Sequence, residues 1–399
     1  DKTVPTPQVD PAPPGDQAAR PTLLFTAFEP SGDALAAPVI AALRKELPGV
    51  RIFAWGGPKM EAAGAELIEN TAADGAMGLG ALSHVLATRR EQRRIRRWSS
   101  QFRVIAHVAV DAPAANFPIC AFMRKSGARI VHLNAPQLWA WGRWRTNKLR
   151  RLTDLVLCVL PFEEQWFGER TIPAKFIGHP AINRELDMKA LKERMHGLPA
   201  GAPRLGIFPG SRTQEVRRNI RLLISIYAEL QARHSGMAGV ICAANGDIAR
   251  LIRKKVRVFP TGLHMTTAEV DATIAWSDLC VAVSGTVTLN IARHCKPMIG
   301  VYKTGVISWL LSKVLLRTPY CLLPNIIADR EICPEFIPHI GGSDSIVSLA
   351  SRYLQDSKHA AIQNEALRHV CIRFANKRPA EDAAALILRL VQDGKVPLR

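Results

Sequence analysis

The chain is expected to be an α/β protein made of two doubly wound domains, and three observations predict this. Short β-rich apolar runs alternate with helical patterns from Thr22 onward. The strand-like runs are apolar at consecutive positions, as strands buried on both faces of a parallel sheet must be. The same rhythm stops after a first set of strands and restarts at Leu205.

The first set begins with LLFTAF at 23–28, followed by a helical pattern at about 34–46 and RIFAWGG at 51–57. It continues through VIAHVAV at 104–110, a helix near 119–126, RIVHLNAP at 129–136 and LVLCVLPF at 155–162. FIGHP at 176–180 then leads into a polar stretch through Pro203. The second set comprises LGIF at 205–208, a helix from Gln214 to about Arg233, GVICAA at 239–244, a strand near Leu263, LCVAVS at 279–284 and PMIGVY at 297–302. No short repeat period is evident, which argues against a solenoid. The expected boundaries are a tail at 1–20, a first domain at 21–180, a linker at 181–203, a second domain at 204–365 and C-terminal helices at 366–399. Those helices are expected to pack back on the first domain or on a partner subunit.

The tail carries Pro5, Pro7, Pro11, Pro13 and Pro14 with almost no large apolar side chains, so it is expected to be disordered. It lacks the apolar core of a secretory signal peptide, which leaves the cytoplasm as the expected compartment. No uncharged apolar run approaches the roughly 18 residues of a spanning helix. The eight cysteines contain no CxxC pair and read as small buried hydrophobes in a reducing compartment. A net charge of +19 over 399 residues attracts nucleic acid, acidic lipid or a phosphorylated substrate without choosing among them.

In open α/β sheets, ligands bind beyond the carboxyl ends of strands, where helix N-termini present unpaired amides. Four loops have fitting content: EPSGD at 29–33, DAPAAN at 111–116, PGSR at 209–212 and SGT at 284–286. Taken singly these are also ordinary turn and cap residues. PGSR is the sharper signal, because Gly210 allows close approach, Ser211 can cap a helix and Arg212 can bind a phosphate oxygen. Asp111 reads either as an N-cap for the next helix or as a base.

RREQRRIRR at 89–97 holds six arginines and follows the apolar MGLGALSHVL at 77–86. It reads as a solvated helix face or as an interfacial surface. In the second case Met77, Leu79, Leu82, Val85 and Leu86 enter headgroups while Arg93, Arg94, Arg96 and Arg97 meet anionic phosphates. RNA would suit the same composition and the basic, aromatic run at 139–151, but no RRM, KH or zinc-finger signature accompanies them. Nucleic acid is therefore not an expected partner. With no D-x-D, HExxH, GxxxxGK[ST] or His/Cys ligand cluster, metal-dependent transferases, zinc hydrolases and P-loop ATPases lose ground, and neither a metal nor a cofactor is expected.

The ordered set EPSGD, GGPKM, DAPAAN, APQLWAW, LPFE, GHP, PGSRTQE, SGTVTL and LPNIIADREICPE resembles lipid-A-disaccharide synthase, a GT-B glycosyltransferase, over residues 22 to 390. The resemblance implies two Rossmann-like domains facing a central cleft. It also implies an inverting, metal-independent transfer of a diacylglucosamine from UDP to the 6-hydroxyl of diacylglucosamine 1-phosphate. Residue by residue, it implies Asp111 as general base and Glu29 as a second catalytic residue in the acceptor loop, and Ser31, Gly32, Asp33 and Asn116 on the acceptor side. Around UDP it implies Gly210, Ser211, Arg212, Gln214, Ser284, Gly285, Thr286, Asn290 and Asn325. Where the family usually has Glu after the SGT run this chain has Asn290, and Ala114 and Ala115 replace an acidic and an aromatic residue after Asp111. The implied partners are the two acylated substrates, the inner face of the inner membrane and a second copy of the chain. Another GT-B enzyme, a sugar-nucleotide epimerase or a non-catalytic relative would share the fold.

Overall fold

The computed structural model describes residues 21–72, 81–303 and 318–393, with the side chains of 81–85 and 393 excepted. The expected tail, Met77 and Leu79 lie outside the described residues, as do the side chains of Leu82 and Val85. The chain divides into two compact units, the first through Leu138, Gly142–Ile177 and from Arg378, the second Trp139–Trp141 and Gly178–Lys377.

In the first unit the elements run β1 (Thr22–Ala27), α1 (Pro30–Glu46), β2 (Arg51–Gly56), α2 (Pro58–Ala62), β3 (Glu66–Asn70), α3 (Ala81–Ser99), β4 (Val104–Val110) and α4 (Pro113–Lys125). They continue with β5 (Arg129–Leu133), α5 (Thr146–Leu152), β6 (Leu155–Cys158), α6 (Glu163–Gly168) and β7 (Ala174–Phe176). In the second unit they are α7 (Pro180–Asn183), α8 (Met188–His196), β8 (Arg204–Phe208), α9 (Thr213–Arg233), β9 (Ala238–Ala243), α10 (Gly246–Lys255) and β10 (Leu263–Thr267). After these come α11 (Val270–Trp276), β11 (Leu279–Val283), α12 (Val287–Arg293), β12 (Met298–Lys303), α13 (Leu323–Ala328), β13 (Glu335–His339), α14 (Asp344–Gln355) and α15 (Ser357–Ile372). A last helix, α16 (Pro379–Asp393), belongs to the first unit.

Both sheets are wholly parallel, in the orders β3-β2-β1-β4-β5-β6-β7 and β10-β9-β8-β11-β12-β13. The apolar runs become the central strands: every residue of β1, β9 and β11 is buried. The edge strand β3, ELIEN, is only partly buried, so it needs no continuous apolar run and leaves no such signal in the sequence.

Two helices begin earlier than their apolar patterns do. α1 starts at Pro30 and α4 at Pro113, each with proline in the first turn, where the missing N–H costs nothing. Ser31, Gly32 and Asp33 therefore lie in the first turn of a helix.

The stretch 181–203, expected to be a linker, carries α7 and α8 and belongs to the second unit. Leu191 of α8 is buried, and the Trp276 indole N–H donates to Pro199 O at 3.2 Å. The C-terminal residues divide between the units: α15 packs on α12, whereas α16 returns to pack on α1. Ala383, Ala384, Ile387 and Leu390 enter the core that holds Val39, Ile40 and Leu43. Burial of Ile387 and Leu390 contributes about 1.5–3 kcal/mol each.

Candidate functional site

In each sheet the strand order reverses once, between β1 and β4 and between β8 and β11. Crevices for ligands open beyond the carboxyl ends of strands at such reversals. The EPSGD and DAPAAN loops follow β1 and β4, and the PGSR and SGT loops follow β8 and β11. The four loops marked by residue type are thus the four at the two reversal points.

At the end of β4, Asp111 (φ 48°) and Ala112 (φ 42°) are both left-handed, a conformation that costs non-glycine residues about 1–3 kcal/mol each. The turn is held by Asn116, which is fully buried and donates from Nδ2 to Asp111 O at 2.8 Å and Val110 O at 3.1 Å. Thr26 Oγ1 donates to Asn116 Oδ1 at 2.6 Å and also lies 2.8 Å from His107 Nε2. Because the threonine proton is spent on Asn116, His107 must be the donor in the second bond. Burial, with His132 nearby, pulls His107 down to about 3, so the ring is neutral with its proton on Nε2. The helix cap at α4 is Ala112, with no capping side chain. Of the two readings of Asp111 the cap is therefore excluded: its half-buried carboxylate has no hydrogen-bond or ionic partner among the described residues.

At the other loop of this unit, Glu29 is the exposed N-cap residue of α1, and Ser31 is exposed in the first turn. Gly32 is buried; a Cβ there would lie 3.1 Å from Ala27 Cβ and 3.4 Å from Val110 Cγ1, so glycine lets α1 approach the ends of β1 and β4. Asp33 is buried and accepts from Met60 N at 2.9 Å and Lys59 N at 3.2 Å, capping α2 from a distance. Asp33 and Asn116, expected on the acceptor side, make hydrogen bonds within the protein that shape the two loops, Asp33 with main-chain amides and Asn116 with two main-chain carbonyls and the Thr26 hydroxyl.

In the second unit, Gly210 has φ 97°, and a Cβ there would lie 2.8 Å from Glu215 Oε2. The N-cap of α9 is Arg212 rather than Ser211, which is exposed. Glu215 accepts the Arg212 N–H at 3.4 Å, and its Oε1 lies 3.1 Å from the Arg212 guanidinium. Glu215 thus steadies both ends of Arg212, a role not foreseen from the sequence although the residue falls inside PGSRTQE. Gln214 is exposed beside it. Ser284 donates to Cys321 O at 2.9 Å, Gly285 and Thr286 are exposed, and Asn290 is half-buried on α12.

Asn325, expected around UDP, is engaged with main-chain groups and Glu335 inside the second unit. It is fully buried, accepts from Ile332 N (2.9 Å) and Cys333 N (2.8 Å), and donates to Cys333 O and Glu335 Oε1, both at 2.7 Å. Glu335 also accepts from Cys321 N at 2.8 Å and Leu322 N at 2.7 Å. Burial pushes the Glu335 carboxyl up, against the pull of these donors. Asn325 on α13 and Glu335 on β13 therefore hold together the turn before α13 and the segment after it, and Ser284 of the SGT loop ties to that turn through Cys321 O.

The arginine helix α3 is anchored by Ile95, which is fully buried, and by Trp98, which packs on Phe53, Trp55 and Phe102. Gln92 ties it to α4 through Ala115 O at 2.9 Å. Between the helices, Arg89, Arg93, Arg96 and Lys125 surround a groove of about 430 Å³ that includes Phe122, and Arg97 lines an adjoining one of about 500 Å³. Arg94 instead pairs with Glu69 and Glu91. Leu86 is exposed. Among the described residues, no helix is long and apolar enough to cross a membrane, and no group of three His, Cys, Asp or Glu could hold a metal.

Two wholly parallel α/β units, each with its loops gathered at one strand reversal, define a protein of the GT-B class. UDP-GlcNAc 2-epimerase from Neisseria meningitidis bound to UDP-GlcNAc has this fold, with a TM-score of 0.61 at 12% identity over 94% of this chain and 100% of that one. So does the spinosyn rhamnosyltransferase SpnG complexed with thymidine diphosphate, with a TM-score of 0.61 at 12% identity over 92% and 99%. Likeness at such identity is one of fold alone. The family is given by sequence: the chain belongs to the lipid-A-disaccharide synthases, whose family profile, described as lipid-A-disaccharide synthetase, matches residues 23–387. The synthase of Solibacter usitatus is 30% identical over 384 residues, 94% of this chain and 99% of that protein. That of Pseudomonas paraeruginosa is 29% identical over 380 residues, covering 93% and 100%. The protein is accordingly a glycosyltransferase of lipid A biosynthesis.

Proposed function

We propose that the protein transfers 2,3-diacylglucosamine from UDP to the 6-hydroxyl of 2,3-diacylglucosamine 1-phosphate with inversion, forming the β-1,6 disaccharide 1-phosphate and UDP. The observation that carries this reading is the unpartnered carboxylate of Asp111, presented on a clamped left-handed turn at a strand reversal of a family member. Asp111 takes the proton of the acceptor hydroxyl as that oxygen attacks the anomeric carbon from the face opposite UDP. The bond from that carbon to the pyrophosphate oxygen breaks, and the charge passes to UDP.

Gly210, Ser211 and Arg212 then hold the departing pyrophosphate through backbone amides, the start of α9 and the guanidinium, an arrangement suited to anions. Gln214, Ser284, Gly285, Thr286 and Asn290 are the candidates for the nucleoside. Glu29 and Ser31, exposed at the start of α1, are the candidates beside the acceptor. The epimerase bound to UDP-GlcNAc, which shares the fold, is consistent with a uridine nucleotide here.

Both substrates carry acyl chains, and the basic groove between α3 and α4 is the candidate surface for anionic headgroups on the inner face of the inner membrane. The test is a radiolabel assay with UDP-diacylglucosamine and diacylglucosamine 1-phosphate. Formation of a labelled disaccharide 1-phosphate with one UDP per bond is expected. Failure with both authentic substrates, alongside retained UDP binding, would overturn the reaction.

A further inference from the structure

Two of the eight cysteines stand apart from the rest. Five are buried, and burial pushes the thiols of Cys120 and Cys280 up to about 12 and those of Cys242 and the half-buried Cys321 up to about 11. Cys295, just beyond α12, and Cys371, on α15 (Ser357–Ile372), are both half-buried and meet where these helices pack. The Cys295 amide and the Cys371 thiol converge on one acceptor, Ala292 O, at 2.8 and 3.3 Å. The shared carbonyl and the packing of α12 on α15 thus bring the two cysteines together at one point of the helix contact. The neighbouring Cys371 thiol, with the Arg368 charge, outweighs burial and brings the Cys295 thiol down to about 7, giving it thiolate character near neutral pH.

A partly accessible thiolate beside a second thiol is the arrangement of a sulfenic-acid-forming cysteine and its resolving partner. We propose that Cys295 and Cys371 are a modification site, a peroxide-sensitive thiol pair that closes reversibly to a disulfide joining α12 to α15. The Cys295 thiolate attacks one peroxide oxygen; the S–O bond forms, the O–O bond breaks, and hydroxide leaves to become water with a solvent proton. The Cys371 sulfur then attacks the sulfenic sulfur; the S–S bond forms, the S–O bond breaks, and the second hydroxide leaves as water with the Cys371 proton. Two thiols lose two electrons, and one peroxide becomes two waters. A dithiol reverses the step by exchange. The cross-link would pin the helix that follows the SGT loop, so the reading does not depend on which sugar is transferred.

The experiment uses the full chain, reduced and then exposed to hydrogen peroxide, blocked with N-ethylmaleimide and digested without reductant for mass spectrometry. The expected product is a Cys295–Cys371 peptide pair lighter by two hydrogens than its reduced parts, abolished by dithiothreitol, while the buried cysteines remain alkylatable only after unfolding. In parallel, iodoacetamide should modify Cys295 fastest in the untreated protein, and Cys371→Ala should move that reactivity to higher pH. Over-oxidation of Cys295 without a cross-link, or oxidation spread evenly over the cysteines, would overturn the proposal. Unchanged Cys295 reactivity in Cys371→Ala would do the same. The wild-type peptide map decides the matter if the variant does not fold.

Discussion

The side-chain amide of Asn116 donates to the main-chain carbonyl of Asp111 at 2.8 Å, across the left-handed turn that carries the aspartate. Asn116 is held in turn by Thr26 on the neighbouring strand β1, and Thr26 by neutral His107 on β4. The orientation of the one unpartnered carboxylate in this loop thus depends on a buried chain of three polar residues, none of which needs to touch substrate.

Replacing Asp111 by Asn keeps side-chain size and tolerance of a positive φ but removes the base. Turnover is expected to fall roughly 10²–10⁴-fold. UDP affinity, measured by calorimetry, is expected to be unchanged. Activity within a few fold of wild type would remove Asp111 from the chemistry.

Asn116→Ala should lower both stability and turnover, because it leaves Thr26 and two carbonyls without their partner. An unsatisfied buried group costs about 1–3 kcal/mol. Thermal unfolding reads the first effect. The second should fall on kcat more than on KM, and a variant that is less stable yet fully active below its Tm would show that the turn holds without the clamp.

Arg212→Ala is expected to weaken UDP binding by about 1.5–3 kcal/mol, the usual size of a hydrogen bond to a charged group. Asn325→Ala should instead lower the Tm, since it opens a buried network around Glu335. Equal loss of UDP affinity in the two variants, at temperatures where both are folded, would contradict this division.

At the basic groove, changing Arg93, Arg96, Arg97 and Lys125 to Gln should release the protein from anionic vesicles at moderate salt, each residue contributing about 1 kcal/mol. Arg94→Gln alone should matter less, because Glu69 and Glu91 already accompany that guanidinium. Vesicle co-sedimentation over a salt series checks both, with UDP binding as the control.

The acid limb of stability should depend on Asp271. Burial alone would raise its carboxyl, but His294, Arg293 and Arg184 together hold it well below the usual carboxylate range. A folded-state value depressed in this way contributes stability that is fully present above the unfolded value near 4 and is lost as pH falls below it. Asp271→Ala is therefore expected to cost about 3 kcal/mol at neutral pH. The difference from wild type should shrink as denaturation curves are repeated toward pH 2, and a constant difference would refute the assignment.

The two parallel sheets and the four loops at their reversals were legible in the residues alone. Strands covered on both faces must be apolar at consecutive positions, and turns at their carboxyl ends need glycine, serine and acidic residues, so both leave local marks. Edge strands such as Glu66–Asn70 are covered on fewer sides and leave none. Which polar residues in those loops face outward follows from packing instead. Asp33, Asn116 and Asn325 have the same chemistry as ligand contacts, yet each is used inside the protein, Asn116 by a threonine ninety positions earlier in the chain. A side chain's partners are set by which strands lie side by side, and that proximity is a property of the packed sheet rather than of the residues next to it in sequence.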